Sequence, residues 1–162
     1  MKIFIVYDSK FGNNKRIAER LSDYFKDDNE VRIEYAKEIS PKELGAEDID
    51  LLIFGGPLRM GNPSFTIRRW AKKVAKILKK QNKTLPKTAV WGSHARNDPD
   101  TPEKFSWNAS KEKWNVILKQ FPADNKPSDV IGFTVKPDTL AGPLEEGWEN
   151  IVKDFVEVIK NL

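Results

Sequence analysis

The segment from Lys2 to Leu21 constrains the fold most strongly, because the sequence patterns of a strand, a polar turn and a helix follow one another directly in it. Ile3–Tyr7 is an unbroken apolar run rich in β-branched and aromatic residues, which is typical of a strand covered on both faces. From Ile17 onward, apolar residues recur at helical spacing. The intervening turn, residues 8–14, aims free N–H groups and the positive end of a helix dipole at one point. The segment therefore predicts a phosphate-binding turn.

The rest of the chain repeats this alternation of strand and helix. Further strands are predicted at residues 30–35, 49–54, 88–91 and 130–135, and the alternating polarity of the first of these indicates a sheet edge. Gly55 and Gly92 are expected to end the third and fourth strands, and a last helical stripe begins at Leu144. Five strand–helix alternations predict parallel β-α-β units with right-handed crossovers, so the chain belongs to the α/β class.

Composition excludes several kinds of chemistry. The 162 residues contain no cysteine, which excludes disulfides, thiolate catalysis and cysteine-based zinc sites, and the single histidine excludes a histidine-rich metal centre. We therefore predict neither a metal site nor catalytic residues of these kinds. A net charge of +4 is too modest to indicate nucleic-acid binding. The apolar run after Lys2 is too short for a signal peptide or a membrane span, so we expect a cytoplasmic protein without membrane insertion.

Six lysines lie on or just beyond the predicted third helix: Lys72, Lys73, Lys76, Lys79, Lys80 and Lys83. A solvated face of an amphipathic helix is the ordinary interpretation of such a set. A docking surface for an acidic partner is the alternative.

Three predicted loops leave the carboxyl ends of strands: residues 9–14, 57–64 and 93–106. In an open parallel sheet, ligands bind beyond these ends, at the point where the strand order reverses. The first loop suits a phosphate, and the other two are expected to form walls around the ring that carries it.

Residues 5–21, IVYDSKFGNNKRIAERL, resemble the flavodoxin signature, with Asn14 at a position where the family usually has Thr. The Gly-Gly-Pro second loop and the polar third loop fit the family too, and the fifth strand, predicted to be uninterrupted, is similar to that of short-chain members. The resemblance implies that residues 1–162 form a single flavodoxin-like domain. It implies a three-layer αβα sandwich around a five-stranded parallel sheet in the order 2-1-3-4-5, with FMN bound non-covalently.

The resemblance also implies which residues surround FMN. Those expected around the phosphate are Ser9, Lys10, Phe11, Gly12, Asn13 and Asn14, the last through its side-chain amide. Those expected along one side of the ring are Pro57, Leu58, Arg59, Met60 and Gly61. Those expected along the other side are Gly92, Ser93, His94, Ala95 and Arg96. In place of the usual aromatic pair, the chain offers Met60 or Phe65 on one side and His94 on the other, with Phe105 and Trp107 further on.

The charges near the predicted ring site favour a negative cofactor. Reduced flavin is an anion at its pyrimidine edge, and Arg59, His94 and Arg96 would attract that charge. We therefore expect a midpoint potential less negative than that of flavodoxins with acidic surroundings.

Three functions are compatible with this pattern. The leading one is an electron carrier, a monomer or a homodimer, that moves one or two electrons between redox partner proteins, in which the flavin supplies the chemistry. The second is an FMN-dependent NAD(P)H:quinone oxidoreductase, because residues 56–63, GPLRMGNP, are similar to the second flavin loop of that related group. The third is an interaction domain of flavodoxin fold without flavin.

Overall fold

Strands and helices alternate along most of the chain, as predicted. The structure is a computed structural model and describes residues 1–135 and 141–162. The strands of the described residues are β1 (Lys2–Tyr7), β2 (Glu30–Tyr35), β3 (Leu51–Arg59), β4 (Asn62–Pro63), β5 (Leu85–Ala95), β6 (Ala123–Asn125) and β7 (Ile131–Val135). The helices are α1 (Asn13–Asp23), α2 (Pro41–Gly45), α3 (Phe65–Lys80), α4 (Trp107–Gln120) and α5 (Trp148–Lys160), with a 3-10 turn at Glu103–Phe105.

The sheet has the predicted order. From one edge the strands run β2, β1, β3 and β5, all parallel, and β6 and β7 share the position beyond β5. The predicted order 2-1-3-4-5 is thus confirmed, with β2 at the edge as its alternating sequence indicated. Helices α2, α3 and α4 cover one face of the sheet, and α1 and α5 cover the other, so the three-layer αβα sandwich is confirmed as well.

The predicted ends of the third and fourth strands are wrong. β3 continues through the glycines to Arg59, and β5 continues to Ala95. Both glycines lie under tryptophan rings: a Cβ on Gly55 would come within 2.1 Å of the Trp91 ring, and one on Gly92 within 2.6 Å of Nε1 of Trp114. Glycine therefore makes room for an indole here and does not end the strand.

Two further expectations about the last quarter of the chain need correction. The fifth strand is interrupted, because β6 pairs with the start of β5 and β7 with its end, and residues 126–130 lie between them. Leu144 precedes the last helix and forms an isolated antiparallel bridge with Val135. Its side chain is buried nonetheless. Leu144 is therefore a core residue, but the prediction that it lies in the last helix is wrong.

The short helix α2 shows how local sequence sets an element boundary. Pro41 occupies its first turn, where a missing N–H costs nothing, and the Ser40 hydroxyl accepts a hydrogen bond of 3.0 Å from the Glu43 N–H. None of the helices in the described part of the chain combines the length and the apolar character needed to cross a membrane.

Candidate functional site

The carboxyl ends of β1, β3 and β5 meet at a small cavity of about 30 Å³. All three predicted segments contribute to its walls. The lining residues are Ser9, Lys10, Phe11, Asn13, Asn14, Pro57, Leu58, Arg59, Ser93, His94 and Val135, and every one except Val135 belongs to the predicted site.

The N-terminus of α1 at this cavity has no side-chain cap. Gly12 precedes the helix in a left-handed conformation with φ of 94°, which glycine adopts without strain. Its own N–H donates to the Ser9 hydroxyl oxygen at 3.0 Å, which shapes the turn. The N–H groups of the first helical turn have no intrahelical acceptor and are directed toward the end of the helix, an arrangement that favours an anion.

A buried hydrogen-bond network supports this turn from below. The Asn14 side-chain amide donates to the Ser93 hydroxyl oxygen at 2.9 Å, and its carbonyl oxygen accepts from Nε1 of Trp91 at 2.9 Å. Asn14 and Ser93 are 3% and 4% exposed, and Trp91 is fully buried. The side-chain amide of Asn14 therefore ties α1 to β5, and its role as a phosphate donor stays a prediction that would require this network to open.

A tight hairpin between β3 and β4 forms the second wall. Met60 and Gly61 at its tip both have positive φ, 52° and 73°, as a two-residue type I′ turn requires. The Lys113 ammonium donates to the Gly61 carbonyl oxygen at 2.7 Å, and a Cβ on Gly61 would lie 2.7 Å from the Lys104 carbonyl oxygen. The hairpin is thus held in place while the Met60 side chain, 79% exposed, extends from it.

The third wall carries a stacked pair of rings. The His94 imidazole lies on the Trp107 indole with ring centroids 4.6 Å apart and planes 14° from parallel. Desolvation of the half-buried imidazole lowers the pKa of His94 below its ordinary value of 6.5. The ring is therefore neutral at pH 7 and adds no positive charge to the site.

The two arginines of the site differ in their pairing. Arg96 forms an ion pair of 2.5 Å with Glu145. Arg59 forms no ion pair with any carboxylate of the described residues. Of the three groups expected to attract a reduced flavin, Arg59 is thus the one whose charge is uncompensated among these residues.

Solved structures resemble this chain in fold. No protein-family model matches the chain, and no curated protein matches it in sequence. The oxidised flavodoxin 2 from Bacillus cereus matches it with a TM-score of 0.69 and 21% identity over 99% of both chains. A flavodoxin from the domain Archaea matches with a TM-score of 0.65 and 15% identity over 99% of this chain and 98% of its own. The chain has the flavodoxin-like fold.

The same fold occurs inside a longer protein. The rubredoxin oxygen:oxidoreductase from Desulfovibrio gigas matches with a TM-score of 0.70 and 18% identity over 99% of this chain. The match covers 35% of that protein, so the present chain spans about a third of its length. Sequence identities this low indicate a shared flavodoxin-like fold and do not indicate a shared activity.

The remaining predicted site residues do not line the small cavity. A neighbouring cavity of about 220 Å³ shares Leu58 and His94 with it and is lined also by Met60, Gly61, Ala95 and Arg96. Gly12 precedes α1 as described, and Gly92 lies in β5 beneath the Trp107 and Trp114 rings, in the wall of neither cavity. Within residues 1–135 and 141–162, no group of three or more His, Asp or Glu side chains is arranged to hold a metal ion.

Sequence reasoning missed two features of the site. Val135 lines the cavity because it ends β7, which pairs with the end of β5. Asp8 is buried and accepts a hydrogen bond from the hydroxyl of Ser64, which also caps α3 by accepting from the Ile67 N–H at 3.5 Å. Asp8 directly follows a predicted strand, and this position was a signal for the contact. Its partner Ser64 lies 56 residues away and could not be predicted from spacing.

The low pKa of His94 leads to a pH-dependent stability. Below pH 6.5 the His94 imidazole of the unfolded chain binds a proton, whereas burial disfavours protonation of the same ring in the folded protein. We therefore expect the free energy of unfolding to fall as the pH drops below this value. Because His94 is the only histidine, His94→Gln should remove this component. Urea denaturation of both proteins across this pH range measures it, and stability curves that stay parallel would contradict it.

Proposed function

We propose that the chain binds FMN at this site and carries one or two electrons between protein partners. The observation that carries the proposal is the convergence of an uncapped helix N-terminus with two further strand ends at one cavity. Ligands bind at this edge in open parallel sheets. The flavodoxin-like fold supports the same location.

The first turn of α1 fits the phosphate. The N–H groups of Asn13, Asn14 and Lys15 lack intrahelical acceptors, and the Ser9 hydroxyl, although it accepts from Gly12, keeps its own proton to donate. Lys10 and Lys15 add positive charge at the same end of the helix. The Asn13 side chain donates to the Gly142 carbonyl oxygen at 2.7 Å, which holds that segment against the turn.

The ring requires more space than the cavity offers. A volume of about 30 Å³ corresponds to about one water molecule, whereas ligand pockets measure about 300–1,000 Å³. The side chains that would move are exposed and apolar: Phe11 is 51% exposed and Met60 is 79% exposed. Their exposure supports the proposal, because large apolar side chains beside a cleft gain contacts when a flat ring binds. We therefore expect Phe11 and Met60 to reorient on binding.

When bound, FMN would supply the electron-transfer chemistry itself. The residues of this chain would bind FMN and stabilise the charge on its ring. Arg59 would stabilise negative charge on the ring, while the neutral His94 on Trp107 would offer an uncharged flat surface beside it.

An absorption spectrum of the purified protein, followed by titration of the cofactor-free protein with FMN, tests the proposal. We expect saturable quenching of flavin fluorescence at one FMN per chain. A protein that leaves FMN fluorescence unchanged would contradict the proposal and favour an interaction domain without flavin.

Arg59→Ala is expected to make the midpoint potential of the FMN-loaded protein more negative. A partly exposed charge pair contributes about 1 kcal/mol, which corresponds to about 20 mV for a two-electron couple. Spectroelectrochemical titration measures the shift. Arg96→Ala is the matched control, since Glu145 already compensates that charge, and its shift should be smaller. Equal potentials for wild type and Arg59→Ala would exclude an interaction between Arg59 and the flavin.

A second candidate is an FMN-dependent NAD(P)H:quinone oxidoreductase. A polar cleft of about 560 Å³ adjoins the site and carries four cationic side chains, Lys10, Lys37, Arg59 and Arg68. Such a cleft is large and basic enough to favour an anionic dinucleotide. Steady-state turnover with NADH and a benzoquinone separates the candidates, because an electron carrier should give almost none.

A further inference from the structure

Helix α3 concentrates the positive charge of the molecule. It carries seven cationic residues and no acidic one, and these are Arg68, Arg69, Lys72, Lys73, Lys76, Lys79 and Lys80. The whole chain has a net charge of +4, so the residues outside α3 carry a net charge of −3. None of the seven forms an ion pair with a carboxylate of the described residues.

Five of these seven cationic side chains border a groove of about 680 Å³ between α3 and α4. Its floor is apolar: Ala75 and Ile117 are partly exposed there, whereas Ala71 and Phe121, which also line it, are almost completely buried. Its rim consists of Arg68, Lys72, Lys76, Lys79 and Lys80, with Gln120 from α4. We call this feature the α3–α4 groove.

A further cationic side chain, Lys126, lies beyond the rim of the α3–α4 groove. The Lys126 ammonium donates to the carbonyl oxygens of Lys119 and Phe121, near the C-terminal end of α4. Burial and, secondly, the charge of Lys79 lower the pKa of Lys126. Lys79 and Lys126 repel each other, so a negative partner would relieve this repulsion as well as add an attraction.

The basic surface is continuous with the candidate site. Arg68 lines the α3–α4 groove and also the polar cleft that contains Lys10, Lys37 and Arg59. A partner that covers the α3–α4 groove would thereby reach the rim of the proposed FMN site.

We propose that the α3–α4 groove binds an acidic amphipathic helix of a protein partner. The apolar side chains of that helix would lie on the groove floor, and its carboxylates would face the lysines of the rim. That the partner is a redox protein rests on the proposed function, whereas the affinity of the groove for an acidic helix does not.

The groove floor favours a protein over a nucleic acid. A phosphate backbone gains nothing from alanine and isoleucine side chains, and base stacking requires an accessible aromatic face. Phe121, the aromatic residue of the floor, is 1% exposed. An amphipathic helix, in contrast, uses both the apolar floor and the cationic rim.

The test uses the cofactor-free chain and a fluorescein-labelled helical peptide of about 18 residues, with glutamates on one face and leucines on the other. Fluorescence anisotropy should show saturable binding that weakens as NaCl concentration rises. A peptide with the same glutamates but glutamine in place of leucine should bind at least about tenfold more weakly, because it loses the apolar surface that the leucines would bury on the groove floor. Equal affinities would overturn the proposal.

Charge reversal locates the binding surface. The triple variant Lys72→Glu/Lys76→Glu/Lys79→Glu should weaken peptide binding at least about tenfold, since each reversal replaces an attraction with a repulsion. The control Lys26→Glu/Lys153→Glu/Lys160→Glu changes the net charge equally on the face formed by α1 and α5, and should keep the affinity within about twofold. Equal weakening by both triple variants would overturn the proposal.

A 20-nucleotide thymidine oligomer serves as the competing probe. If the oligomer binds through Lys72, Lys76 and Lys79 while the acidic peptide does not bind, the proposal is wrong and the surface is a nucleic-acid site. Because no flavin is needed, peptide binding by a chain that fails to bind FMN would separate this proposal from the proposed function.

Discussion

Replacing Asn14 with Ala is expected to lower the free energy of unfolding by about 2–4 kcal/mol. The substitution removes both hydrogen bonds that Asn14 makes, and it leaves the indole N–H of Trp91 and the Ser93 hydroxyl buried without this partner. Urea denaturation measures the change through its midpoint. Asn13→Ala is the matched control at the adjacent position: it removes one hydrogen bond, to Gly142, and should cost about 1 kcal/mol.

A double-mutant cycle isolates the contact between Asn14 and Trp91. Trp91→Phe removes the indole N–H, so the penalty for leaving it unpaired disappears in the Asn14→Ala/Trp91→Phe variant. We expect the two substitutions to be less than additive by about 1–2 kcal/mol. Additive effects would mean that the two side chains do not interact, contrary to the distance of 2.9 Å between Trp91 Nε1 and Asn14 Oδ1.

Gly55→Ala is the second substitution with a large expected effect. The new Cβ would lie 2.1 Å from the Trp91 ring, with further ring atoms at 2.4 and 2.5 Å, and the indole is fully buried. We expect a loss of about 3 kcal/mol of stability, at the upper end of the cost of overpacking. FMN affinity should fall too, because a displaced Trp91 releases Asn14 and the first turn of α1.

Gly56→Ala provides the control in the same strand. The nearest atom to its added Cβ is Cβ of Asp8 at 3.2 Å, so a small shift suffices. Its stability should stay within about 1 kcal/mol of the wild type. If Gly55→Ala and Gly56→Ala were equally stable, glycine at position 55 would not be required by the Trp91 ring.

Local patterns predicted the fold well. The continuous apolar runs located β1, β3, β5 and β7, and the alternation in β2 indicated its position at the sheet edge. Each of these signals arises from neighbouring residues and the face that they bury. The confirmed strand order came from the resemblance to flavodoxins.

Long-range contacts account for what the sequence did not reveal. Glycine after an apolar run usually indicates a strand end, but Gly55 and Gly92 lie beneath indoles contributed by β5 and α4. Asn14 is 77 residues from Trp91 and 79 from Ser93, so nothing in the local pattern distinguishes a network residue from a phosphate donor. The pairing of Arg96 with Glu145, 49 residues away, was hidden for the same reason.

The convergence of the three segments was nonetheless predictable. Parallel strands present their carboxyl ends at one edge, and this rule brought residues 9–14, 57–59 and 93–94 together at the cavity. The rule predicts where the backbone of each segment lies. Which side chains reach into the cavity depends on packing that the whole chain determines.

A comparison of FMN with riboflavin tests the central claim most directly, because riboflavin has the same ring without the phosphate. If the first turn of α1 holds the phosphate through its free N–H groups, FMN should bind at least about a hundredfold more tightly than riboflavin. The reason is that two charge-assisted hydrogen bonds contribute about 3 kcal/mol or more. Fluorescence titrations of the cofactor-free protein with both ligands give this ratio. Equal affinities would contradict a phosphate site at the start of α1.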